Sequence, residues 1–119
     1  MEPNTLPDNE RYQYLITQAI ATKELWLLQS QPGFYAMFED DNGQEYIPIW
    51  PDKTQATLHS KGDWEEYSPE KVELLDFVNW MKELKDDEIF IGAFPNLDLK
   101  AIPMNPMEIK KHLLDTLNK

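Results

Sequence analysis

The segment Asp41-Asn42-Gly43-Gln44-Glu45-Tyr46-Ile47-Pro48-Ile49-Trp50-Pro51-Asp52 constrains the fold more than any other stretch of the chain. Asn-Gly suits the left-handed dihedrals of a two-residue hairpin turn, so the apolar run after it is expected to return as a strand. Pro48 and Pro51 then bracket Trp50. A proline removes a ladder donor, so a regular strand would want neither of them here. The chain is expected to pass from a shaped strand end, by a Trp-Pro step, into a helix. No nucleophile, base or metal ligand stands beside that step in sequence.

Around this segment the periodicity predicts three further helices. Pro7-Asp8 offers a start, and Tyr12, Leu15, Ile16, Ala19 and Ile20 follow on one helical face. Leu74, Phe77, Val78, Met81 and Leu84 make a second stripe, and Ile109, Leu113, Leu114 and Leu117 a third behind Pro106. A short helix is expected over 51–61, with Pro51 in its first turn and Gly62 ending it. Leu25–Leu28, Phe34–Phe38 and Glu45–Ile49 read as a three-strand meander. Trp64–Pro69 reads as a loop or edge segment, Val72 as the start of a short edge strand, and Ile89–Phe94 as the most buried strand. Lys100–Ile102 follows after a turn. The expectation is one α+β domain over 1–119, with 1–7 a flexible N-terminus. It has a mostly antiparallel sheet of four to six strands, and three to four helices packed mainly on one face.

A chain of 119 residues with 41% hydrophobic content can bury one core without staples. The absence of cysteine removes disulfides, thiolate metal sites and thiol catalysis. The polar, acidic start does not read as a signal peptide, and no apolar run approaches a membrane span, so a cytoplasmic location without membrane contact is expected. Twenty-two acids face eleven bases, and Arg11 is the one arginine. Fifteen of the acids, against five lysines, lie between Glu39 and Glu88. Such a surface repels a polyanion, so no nucleic-acid partner is expected. It serves solubility, or the docking of a basic protein partner.

Few chemistries have their parts here. His59 and His112 have no second ligand at zinc-helix spacing, and no metal is expected. Aligning Gly43 with the glycine of a calcium loop puts Phe38 and Ile49 at ligand positions, which excludes that reading. Ser30, Ser60 and Ser68 lie in no nucleophile elbow, and the four isolated glycines build no phosphate loop. No catalytic residue and no cofactor are assigned. What stands out is aromatic. Trp26, Phe77 and Trp80 fall in strand or helix patterns that fill a core. Trp50 and Trp64 sit at element ends beside Pro51 and Gly62, positions that suit an exposed recognition role. The candidate partner or ligand surface is therefore Trp50, Pro51, Asp52, Trp64, Glu66 and Tyr67.

The order of Arg11-Tyr12, Leu25-Trp26-Leu27, Asn42-Gly43 and Ile47-Pro48-Ile49-Trp50 is followed by Glu65-Glu66-Tyr67-Ser68-Pro69-Glu70-Lys71-Val72-Glu73-Leu74. Then come Asp76-Phe77-Val78-Asn79-Trp80-Met81-Lys82-Glu83-Leu84 and Ile89-Phe90-Ile91-Gly92. This whole resembles the small bacterial proteins grouped as domain of unknown function 2750. The most specific pieces are the Pro-x-Trp step at 48–50 and the Phe-x-x-Trp helix at 77–80. Where relatives often carry Asp-Gly, this chain has Asp87-Glu88. The resemblance implies a single-domain bacterial cytosolic protein and carries over no activity and no catalytic residue. From the residues, the leading expectation is a non-enzymatic module whose acidic, aromatic face engages a protein, as an accessory or immunity-type protein would. The alternative is a small-ligand binder or enzyme, with a pocket walled by Trp50, Trp64 and Tyr67 and polar groups from Asp52, His59 or Glu66. In a homo-oligomer the same aromatic patch would be the subunit interface.

Overall fold

Two sheets, joined at one point, carry the strands. A computed structural model describes residues 2–31 and 33–118. In chain order the elements are α1 (Asp8–Thr22), β1 (Glu24–Gln29), β2 (Phe38–Glu39), β3 (Glu45–Ile49), α2 (Lys53–Thr57), β4 (Ser68–Glu73), α3 (Leu74–Asp86), β5 (Phe90–Ala93), β6 (Ile102–Met104) and α4 (Pro106–Leu117). β1 pairs antiparallel with β4, from Glu24 opposite Glu73 to Gln29 opposite Ser68. The second sheet has the order β2-β3-β5-β6. Its central pair, β3 with β5, is parallel, and the outer pairs are antiparallel. The sheets meet where Trp26 and Trp50 exchange backbone hydrogen bonds of 2.9 and 2.8 Å. The fold is α+β and mostly antiparallel, as expected.

The expected meander does not form. β4 offers β1 six consecutive partners. The stretch after β1 instead turns back tightly through Gly33 N–H to Ser30 O (2.9 Å). It then makes one isolated bridge, Gln29 with Tyr35, before leaving to bring Phe38 beside Tyr46. Val72 accordingly lies inside an edge strand that already starts at Ser68. The helix expected over 51–61 is also shorter. Asp52 caps it, its carboxylate accepting from Gln55 N–H at 2.8 Å, so Pro51 precedes the cap. Gly62 (φ +59°) opens a short 3-10 turn, Gly62–Trp64, and does not end α2. Within the stretch expected to be flexible, Met1 lies outside the described residues. Pro3–Thr5 form a 3-10 turn, and buried Asn4 donates from Nδ2 to Gln55 Oε1 at 2.9 Å.

The hairpin at 40–44 differs in the same instructive way. The loop has three residues, closed by Asp40 N–H to Gln44 O and Gly43 N–H to Asp40 O, both 3.0 Å. Gly43 takes φ +83°, the left-handed position that completes this turn type. The longer loop wins because the Asp40 carboxylate organises it, accepting from Asn42 N–H (2.9 Å), Gln44 N–H (3.0 Å) and the Tyr46 hydroxyl (3.0 Å). The Gln44 N–H bond first, then those from Tyr46 and Asn42, hold this carboxyl below its usual 3.8. A depressed folded value stabilises the fold above the unfolded pKa, and that contribution is lost as pH falls through the folded value. Asp40→Ala is therefore expected to be less stable than wild type at pH 6, with the gap closing below pH about 3.8. Urea denaturation of both chains across that range checks it.

The helices α1, α3 and α4 pack on one another and against the sheets. Leu15, Phe77, Met81, Ile109 and Leu113 of these helices are fully buried with Ile49, Trp50, Ile91 and Phe94. Glu88 stands at φ +60°, a conformation glycine adopts without strain, just after α3.

Candidate functional site

The β5–β6 connection is braced more heavily than a surface loop needs. Asn96 Oδ1 accepts from Asp98 N–H (2.9 Å) and Lys100 N–H (3.0 Å), and its backbone bonds to Leu99 and Lys100 close the turn. Arg11, on α1 and 2% exposed, grips it from below. Its Nε donates to Phe94 O at 2.8 Å, Nη2 to Lys100 O at 3.0 Å, and Nη1 to Leu6 O at 2.9 Å. Nη2 also lies 3.1 Å from the exposed Asp8 carboxylate, a pair that water screens. His59, 4% exposed, holds the loop from the side, its Nε2 2.9 Å from Asn96 O. A carbonyl only accepts, so this ring nitrogen is the donor. Nδ1 faces Gln55 O at 3.3 Å.

What this bracing displays is apolar. Leu97 and Leu99 are each 54% exposed, and Leu99 stands in the left-handed region at φ +61°. A leucine there costs roughly 1–2 kcal/mol in backbone strain, and little burial offsets it. Facing them, the 3-10 turn carries half-buried Trp64. Met37, Phe38 and His59 complete a cleft of about 450 Å³, with Lys61 and Asp63 also lining it. Phe38 is stacked on Tyr46 (5.2 Å between rings) and covers Gly92, where an added Cβ would fall 2.7 Å from the Phe38 ring.

Two of the residues named from sequence, Trp64 and His59, meet in this cleft. Trp50 does not. The expectation of an exposed Trp50 is overturned, because the indole is fully buried behind the cleft wall. It packs on His59 (4.9 Å) and edge-on to Trp64 (6.4 Å, 81°). The parallel pairing of Ile49 with Ala93 and the backbone bridge to Trp26 draw this strand end inward. The Trp50 indole N–H meets no hydrogen-bond acceptor among the described residues. Pro51 is buried, Asp52 is committed to capping α2, and Tyr67 is half-buried with its carbonyl accepting from Ser60 Oγ. Glu66 is exposed and lies outside the cleft lining. Sequence reasoning missed Met37, Phe38, Leu97 and Leu99. The one available signal was Leu97-Asp98-Leu99, apolar residues inside a Pro-Asn turn.

The arrangement suits binding an apolar group. The His59 nitrogens already face carbonyls, and Ser60 is bonded away from the cleft, so these two do not form a nucleophile–base pair in it. Among the described residues no group of three or more His, Asp or Glu side chains is placed to hold a metal ion. No helix among them is long and apolar enough to cross a membrane.

No curated protein and no solved structure matches the chain significantly. A family model does match, over residues 12–113, under the description "Protein of unknown function (DUF2750)". That match spans the Pro-x-Trp step, the Phe-x-x-Trp helix and every residue lining the cleft, and the chain belongs to this family.

Proposed function

We propose that this chain is a bacterial, cytosolic, non-enzymatic binding module. Its Trp64 cleft receives a large apolar side chain from a basic segment of a protein partner. The observation that carries this reading is the pair Leu97 and Leu99, exposed on a loop anchored by a buried arginine, with Leu99 held in a strained conformation. Strain without burial points to a role outside the fold's own stability. Small-molecule sites orient their ligands with a few convergent polar groups. Here the buried polar side chain in the lining, His59, already faces two carbonyls, which favours a side-chain anchor over a metabolite. Asp63, Glu65 and Glu66 are exposed around the Trp64 turn, so positive charge on the partner would speed its approach.

Random-peptide display against the wild type and a Leu97→Ser/Leu99→Ser variant tests this. Both leucines are exposed, so the variant is expected to stay within about 0.5 kcal/mol of wild-type stability. Wild type should enrich peptides with one large apolar residue flanked by lysine or arginine. The variant should bind them about tenfold or more weakly, and the wild-type on-rate should fall as salt rises. Peptides retained equally by both chains, or no enrichment, would remove the reading. Concentration-dependent mass that vanishes in the variant would assign the patch to a homo-oligomer instead.

A further inference from the structure

On another face, α3 and the β1–β4 sheet enclose a trough of about 520 Å³. Its apolar lining includes Leu27 of β1 and Val72 of β4. One stripe of α3 forms a wall, with Asp76, Trp80 and Glu83 following helical spacing. Tyr35 packs on Trp80 with ring centroids 5.0 Å apart, placing an aromatic pair in the lining. Glu70 joins from β4.

The trough and its aromatic pair make the site, and the carboxylates decide the sign of its ligand. Glu70, Asp76 and Glu83 are exposed and form no ion pair among the described residues. The one cation in the lining, Lys71, is tied to Glu24 at 3.2 Å and Glu73 at 3.4 Å. Aromatic faces attract ammonium groups, and apolar walls take methylenes. Asp76 and Glu83 are separated by seven positions, about 10 Å along a helix, with Trp80 between them in sequence. An extended triamine with short alkyl spacers is of about that length.

We propose that this trough binds a linear aliphatic polyamine. Its terminal ammonium groups pair with Asp76 and Glu83, and its alkyl chain lies over Trp80, Leu27 and Val72. The volume falls in the range of small-molecule sites and favours a short chain over a peptide strand. This site is separate from the Trp64 cleft and does not depend on it.

Amide and indole NMR shifts during titration with a linear triamine at low salt test the proposal. Shifts should centre on Trp80, Tyr35 and Glu70. Asp76→Asn/Glu83→Gln, both changes at exposed positions, should weaken binding by about tenfold. A monoamine and magnesium should bind more weakly than the triamine. The Leu97→Ser/Leu99→Ser variant should bind the triamine like wild type, which keeps this outcome separate from that of the cleft. Shifts spread over the acidic surface, equal competition by magnesium, or unchanged affinity in the double variant would overturn it. A lysine-rich peptide binding more tightly than the triamine would overturn the assignment of the ligand.

Discussion

Arg11→Ala is expected to lose about 3–5 kcal/mol of stability, the cost of breaking a buried charged network. The substitution would strand the carbonyls of Phe94, Lys100 and Leu6, each of which now accepts from the guanidinium. Small domains have only about 5–15 kcal/mol in total, so the variant should sit near the edge of folding. Arg11→Lys separates charge from geometry. One ammonium keeps the charge but lacks the planar fork that meets carbonyls from three parts of the chain. It is expected to lose more than about 2 kcal/mol, with amide exchange rising first in the loop 94–100. Urea denaturation and hydrogen exchange on the three chains would check this. A lysine variant as stable as wild type would show that charge alone suffices.

Trp50→Ala should rank beside it, at about 3–5 kcal/mol, because truncating a buried tryptophan leaves a large cavity. The informative comparison is Trp50→Phe. Phenylalanine loses part of the ring but also removes a buried N–H that has no acceptor among the described residues. An unsatisfied donor of this kind costs roughly 1–3 kcal/mol, which offsets much of the lost packing. The phenylalanine variant is therefore expected within about 1.5 kcal/mol of wild type. Equal midpoints for the two variants in urea would refute the offset.

The helices were legible because their stripes are local. Leu74, Phe77, Val78, Met81 and Leu84 state both the period and the buried face of α3, and the structure buries all five. Ile89–Phe94 was legible as a strand for a similar reason, being apolar on both faces; the structure forms it over Phe90–Ala93 and leaves Ile89 and Phe90 only half-buried. Pairing was not legible. Nothing in Leu25–Leu28 says that its partner begins at Ser68 and not at Phe34, since register is settled by contacts distant in sequence. Trp50 was misplaced for the same cause, its burial depending on His59, Trp64 and the parallel neighbour Ala93. Trp80, expected in the core, is only half-buried and faces the trough. Arg11 did leave a trace. It is the single arginine of an acidic chain, four residues before Leu15 on the apolar stripe of α1, where a charge must be answered by specific partners.

The parallel pair at the centre of the larger sheet also governs the order in which the molecule can be made. Tyr46–Ile49 find their partners only at Phe90–Ala93, with α2, β4 and α3 between them. Closing so long a loop loses entropy before the new contacts compensate. During synthesis the β2–β3 hairpin emerges with one edge of β3 unpaired until β5 has left the ribosome. Pro48, which has no N–H to offer, sits in that waiting strand. Its missing N–H lies on the β2 side, because Ile49 O turns toward Phe94 N–H and neighbouring residues of a strand face opposite edges. The edge that waits for β5 keeps the amides of Ile47 and Ile49 and stays open to neighbouring chains until Phe90–Ala93 arrive.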